Sequence, residues 1–186
     1  MVRLGLSALV ALVLSSCAHP MKSDEAQIYE AILFDQQFTT ELGDTEAVMV
    51  VSELAQADVL VHGAVATFAT LGANQSTVEA LNRASLKPGR LPAELESHSR
   101  LVVVSDPEPR SPAQPRLQVD QAFAQRYPGH QGFVRFSPIG FSVQRTEAVV
   151  AAVLECGGLC SHGDMFVLRR NEGRWKITNR RTPWIS

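Results

Sequence analysis

The sequence lacks a basic excess: its formal net charge is -2, so nucleic acid is not an expected partner, since phosphate backbones are normally met by a surplus of lysine and arginine. It also lacks an apolar run of the ~20 residues that a membrane-crossing helix needs. The mainly apolar stretch LGLSALVALVL, residues 4–14, has only eleven. There is no Gly-x-Ser-x-Gly elbow, no His-Glu-x-x-His, no glycine-rich phosphate loop and no set of dinucleotide-binding glycines. The histidines, His19, His62, His98, His130 and His162, are scattered without metal-ligand spacing. No catalytic residue, metal or cofactor is therefore assigned, and the chain reads as leaning away from enzymes.

What is present suffices for one packed domain. A chain of 186 residues, 45% apolar and 19% charged, buries enough surface to fold without a metal or a dense set of disulfides. Charge is unevenly distributed. Residues 17–60 carry nine acids against Lys22 alone, whereas residues 166–186 carry Arg169, Arg170, Arg174, Lys176, Arg180 and Arg181 against Glu172 alone. The simple expectation is that these are solvated faces of elements lying near each other; the sharper one is a basic edge that meets an anionic surface or polymer.

Arg3 followed by the short apolar run has the form of an export signal. The run leads into Leu14-Ser15-Ser16-Cys17, which resembles the lipobox of bacterial lipoproteins at all four positions. That resemblance implies a diacylglyceryl group on the Cys17 sulfur, cleavage just before it and acylation, as with palmitate, of the new amino group. Two or more acyl chains make a lasting membrane attachment where one is marginal. Ala18 in place of aspartate points, under the sorting rule for such proteins, to the outer membrane facing the periplasm. The same residues also satisfy the small-x-small rule for ordinary signal cleavage, which would release a soluble protein starting at His19. The chain divides into a signal at 1–16, a lipid-anchored tether at 17–22 and a single globular domain at 23–186.

With Cys17 acylated, Cys156 and Cys160 remain, and export places them where disulfides persist. The intervening Gly157-Gly158-Leu159 allows closure, so a structural bridge is expected, contributing roughly 2 kcal/mol for so short a loop. Cys156, Cys160, His162 and Asp164 could instead be read as metal ligands, but the spacing is not that of a zinc or haem motif. Ser161, His162 and Asp164 contain the residue types of a catalytic triad. Such triads are assembled from distant segments, so His162 is read as a satisfied loop histidine.

Ser23 as an N-cap, Asp24 and Glu25 in a first turn, and Ile28, Ala31, Phe34, Phe38 and Leu42 at three- and four-residue intervals predict a helix stopped by Gly43. Residues 47–54 read as a buried strand, and 57–72 is ambiguous. Ser76-Thr77-Val78-Glu79 reads as a capping box opening a helix through Ala84. Residues 101–105 read as a central strand, the four prolines within 106–115 as an extended loop, and 119–126 as a short helix. Strands follow at 132–136, 146–154, 165–170 and 174–178, with Asn171-Glu172-Gly173 as a tight turn and Trp184 and Ile185 sealing the core. The expected fold is α+β, with an N-terminal helix and short helices packed on a mainly antiparallel sheet ending in a β-meander. The alternative is a cone-shaped roll like NTF2-like or cystatin-like proteins.

Residues 127–186 resemble the C-terminal module of a loosely defined group of uncharacterised bacterial proteins. The shared features are Ser137-Pro138-Ile139-Gly140-Phe141, a valine-rich strand, Cys156-Gly157-Gly158-Leu159-Cys160, Gly173-Arg174-Trp175-Lys176-Ile177 and the terminal Trp184-Ile185-Ser186. Ser161 departs from the glycine common in the group. The resemblance implies a fold and a bridged loop without an activity. The function expected is therefore a non-catalytic envelope lipoprotein with the membrane as partner through Cys17 and an envelope protein or cell-wall component as a further one. The alternative is a small periplasmic hydrolase or ligand-binding roll with its site in a cavity.

Overall fold

The computed structural model describes residues 22–39, 49–60, 63–105, 121, 123, 125–130, 132–155 and 161–185. Cys17, Cys156 and Cys160, with the signal and the proline-rich segment, lie outside the described residues.

The chain enters α1 (Asp24–Leu33), where the Ser23 hydroxyl accepts from the Ala26 N–H at 3.2 Å. Ala26, Ile28, Tyr29, Ile32 and Leu33 are buried, so the predicted apolar face is the packed one. The predicted helix does not run unbroken, however. Asp35 turns its carboxylate to the Phe38 N–H at 2.9 Å and starts a separate short helix, α2 (Gln36–Thr39). A side chain that caps a backbone N–H three residues on offers an alternative to continuing the ladder, and here it prevails.

Next come β1 (Met49–Ala55), a 3-10 turn at Ala57–Val59, α3 (Ala64–Thr70), α4 (Gln75–Ala84), β2 (Gly89–Arg90), a second 3-10 turn at Ala93–Leu95 and β3 (Leu101–Val104). The ambiguous stretch thus resolves largely as helix, as its alanines favour. The capping box at Ser76 is not used. Asn74 is the N-cap, its side chain makes no cap bond, and the buried Glu147 serves from across the molecule. One Glu147 oxygen accepts from the Asn74 N–H at 2.8 Å and from the Thr77 hydroxyl at 2.9 Å.

The remaining strands are β4 (Phe133–Phe136), β5 (Gly140–Phe141), β6 (Glu147–Glu155), β7 (Ser161–Asn171) and β8 (Arg174–Ile185). They join one eight-stranded sheet in the order β2-β1-β4-β6-β7-β8, with β3 beside β1 and β5 beside β6. Strand β1 runs parallel to β3 and β4, and the other pairings are antiparallel. The fold is α+β with β6-β7-β8 as the expected meander. Among the described residues strand β3 pairs with β1 alone and is not central, because a run of valines does not report the number of neighbouring strands.

Both faces of the sheet are covered. One packs Val51, Val134, Phe136, Val150, Leu154, Phe166 and Leu168 against α1, α2 and Leu95; the other packs Val149, Ala151, Val153, Met165 and Val167 against Phe68, Val78 and Leu81 of α3 and α4. Strand β6 is therefore buried over eight successive residues, with side chains alternating between two cores. Gly140 makes this possible on the second face. A Cβ there would stand 2.5 Å from the Thr77 carbonyl oxygen and 2.6 Å from Leu81 N and Cβ, so α4 rests directly on the backbone of β5.

The β7–β8 turn is the tight one expected, with positive φ at Glu172 (50°) and Gly173 (78°), as a two-residue hairpin requires. Strand β8 is longer than predicted and forms one end of the sheet. Its Arg174, Lys176, Arg181 and Pro183 are exposed, the proline being tolerated because the outer side of β8 has no neighbouring strand among the described residues. Trp184 packs at the rim of the second core, but Ile185 is 71% exposed and does not seal it.

Candidate functional site

Alternation along β7 decides which of its polar residues meet. Ser161, Gly163 and Met165 face α3 and α4, while His162, Asp164 and Phe166 face α1 and α2. His162 and Asp164, two apart on one face, touch: Nε2 lies 3.2 Å from Asp164 Oδ2. His162, read from the sequence as a loop histidine, is corrected to a strand residue. Ser161 is carried to the opposite face and takes no part. The triad is therefore not assembled.

Asp164 is the centre of the cluster. Its side chain is fully buried, Arg180 Nη2 donates to Oδ2 at 2.7 Å, and the Thr182 hydroxyl makes a short bond to Oδ1. Arg180 also reaches Asp35 Oδ1 at 3.3 Å, and its guanidinium lies 5.8 Å from the Phe38 ring centre and 5.6 Å from that of Phe166. His162 completes the enclosure with its ring edge-on to Phe38 at 5.5 Å. Burial works against the Asp164 charge, but the donors from His162, Arg180 and Thr182 outweigh it and hold the carboxyl below its ordinary pKa. The result is an ionised carboxylate whose two oxygens are already engaged by groups from β7 and β8, and which ties both strands to the start of α2. Such a centre can fix geometry, and both carboxylate oxygens already have partners among the described residues.

The strand is pinned on its other face by Gly163. A Cβ at Gly163 would stand 2.2 Å from Trp184 Nε1 and 2.5 Å from Cε2, so the indole packs directly on the glycine. Gly163→Ala should lift the ring from the second core at a cost of about 1–2 kcal/mol, read as a lower urea midpoint with red-shifted tryptophan emission. Unchanged emission would mean that the indole does not depend on that contact.

The segregated charges are drawn together, as the simpler expectation has it. Asp24 of α1 meets Arg145 Nε at 2.9 Å and Arg170 Nη1 at 3.5 Å, and Asp35 meets Arg180. Burial opposes ionisation of Asp24, while the Trp175 indole and the charges of Arg145 and Arg170 lower its pKa on balance.

A cleft of about 260 Å³ opens beside Tyr29, Ala55, Ile139 and Phe141. Its charged lining groups are already committed, Glu25 to Arg145 at 2.8 Å and Arg90 to Glu53 at 3.0 Å. The Tyr29 hydroxyl, pushed up in pKa by burial, donates to the Ser137 carbonyl at 3.3 Å. Among the described residues no three metal-ligating side chains converge, and no helix is long and apolar enough to cross a membrane. The disulfide and lipidation positions lie outside the described residues. Comparison of the chain with protein-family models, with curated proteins and with solved structures gave no match.

Proposed function

We infer that this chain is a lipid-anchored protein of the bacterial cell envelope, held to the outer membrane through Cys17 and acting there as a non-catalytic binding or structural module. The observation that carries the reading is Leu14-Ser15-Ser16-Cys17, placed directly behind a positively charged residue and an eleven-residue apolar run. The filled cores on both faces of the sheet support it over a small hydrolase or ligand-binding roll. That alternative calls for a cavity with convergent polar groups, typically ~300–1,000 Å³. The charged groups lining the cleft beside Tyr29, Glu25 and Arg90, already have partners.

The experiment is the intact mass of protein extracted from membranes after thiol alkylation. The expected species begins at Cys17, carries a diacylglyceryl group with or without a further acyl chain, and takes up no alkylating agent because Cys156 and Cys160 are bridged. Cys17→Ser should abolish fatty-acid incorporation completely and block that processing. An unmodified chain starting at His19 would end the lipoprotein reading; two alkylated thiols on an acylated chain would end only the bridge.

A further inference from the structure

If Cys17 carries the lipid anchor proposed above, the point at which the chain enters the domain determines which end of that domain can meet the lipid surface. Six residue steps separate Cys17 from Ser23, at most about 20 Å of extended chain at ~3.4 Å each. Ser23 caps α1, and two hairpins grip the first turn of that helix. Arg145, in the turn between β5 and β6, holds Asp24 at 2.9 Å and Glu25 at 2.8 Å. Arg170, just before the turn between β7 and β8, approaches Asp24 at 3.5 Å. Both hairpin tips and the entry of the chain therefore share one end of the domain.

That end carries an exposed apolar side chain and exposed cations. Val143, at the tip of the β5–β6 turn, is 88% exposed. Arg174 and Lys176 are exposed beside the β7–β8 turn, with no carboxylate at ion-pair distance among the described residues. The acids nearby are mostly occupied: Asp24 and Glu25 by the two arginines, and Glu147 by Asn74, Thr77 and Arg169. Glu172 is the exposed exception in that turn.

We propose that this end of the domain lies against the lipid layer that holds Cys17, with Val143 touching lipid and Arg174 and Lys176 facing anionic headgroup phosphates. A valine at a turn tip gains by leaving water. The two cations, on a domain that a tether of at most about 20 Å keeps near the surface, gain from its negative potential as they come within a Debye length of about 8 Å.

Leu86 provides the control, being 82% exposed just past the end of α4. The first turn of α4 is held by Glu147 at the tether end, and ten residues of helix, about 15 Å, separate it from Leu86. A photo-crosslinking phenylalanine analogue is introduced at position 143 or at position 86 of the full chain, which is exported in cells, irradiated in intact membranes and weighed. The same spectrum reports acylation of Cys17 and phospholipid adducts. Position 143 should give at least fivefold more adduct than position 86, and Arg174→Glu with Lys176→Glu should lower the yield at 143 at least threefold. Equal yields from an acylated chain overturn the orientation and leave the anchor standing. An unmodified Cys17 removes anchor and orientation together, and an undiminished yield after charge reversal overturns the headgroup contact of the two cations.

Discussion

Asp164→Asn should lower stability by about 3 kcal/mol, which for a domain of this size is a fall in melting temperature of roughly 10 °C. The substitution hardly changes volume. It removes the negative charge facing Arg180 Nη2 at 2.7 Å, in a place where the carboxylate has no access to solvent. What it leaves is a largely buried guanidinium with, among the described residues, the partly exposed Asp35 as its remaining counter-ion, and such an orphaned charge is costlier than the pair was favourable. Arg180→Met in the same background should therefore recover part of the loss, a coupling that a double-mutant cycle in urea measures directly. Acid titration adds a second signature. Because the Asp164 pKa is depressed from 3.8 in the folded state, its stabilisation is complete above that value and is lost as pH falls through the lower folded-state value. The wild type should show this acid-limb loss and the asparagine variant should lack it. Equal acid limbs would remove Asp164 from the account.

Gly140→Ala should cost about 2–3 kcal/mol, although it adds a single methyl group. The new carbon would stand 2.5 Å from the Thr77 carbonyl oxygen and 2.6 Å from Leu81 N and Cβ. Two of these atoms are helix backbone, so no rotamer change relieves the contact and α4 must move off β5. Such a move would loosen Val78 and Leu81 from the second core and pull Thr77 and Asn74 away from Glu147. The urea midpoint should fall with little change in slope, and amide exchange should quicken along α4 more than along α1. Gly89→Ala, where an added Cβ meets nothing within 4 Å, should be close to neutral. Similar costs at the two glycines would show that close approach is not what Gly140 provides.

Several elements are legible in the sequence because their signals are local. The Ser23 cap, the acidic first turn of α1 and the two-residue hairpin at Glu172-Gly173 each rest on a few adjacent residues, and the structure uses all three. The break between α1 and α2 is hidden because Phe38 stays buried and preserves the apolar rhythm across Asp35. The cap of α4 is misplaced for the opposite reason. Its acceptor, Glu147, is seventy-three residues from the N–H it holds, so no adjacent residue points to it and the Ser76 pattern places the cap two residues too late.

The buried cluster on β7 escapes at one boundary. Histidine, glycine and aspartate weaken the strand signal, so the sequence pattern starts the strand at Met165, whereas the ladder begins at Ser161. Extending the alternation of Phe166 and Leu168 backward by four residues places Asp164 and His162 together on the first-core face. Their partners Arg180 and Thr182 stay invisible even then, because the pattern of β8 ends at residue 178 and its register with β7 shifts at two places.

The open side of β8 has a bearing on self-association. A strand of twelve residues with no neighbouring strand on its outer side among the described residues is a template on which a second copy could pair, and confinement to a surface would raise the frequency of such encounters. Arg174, Lys176 and Arg181 would then be set against their own counterparts, and Pro183 can give no hydrogen bond to an incoming strand. The cations that make this margin basic thus also discourage fibre-like stacking, keeping neighbouring copies apart where crowding would otherwise favour their fusion into a continuous sheet.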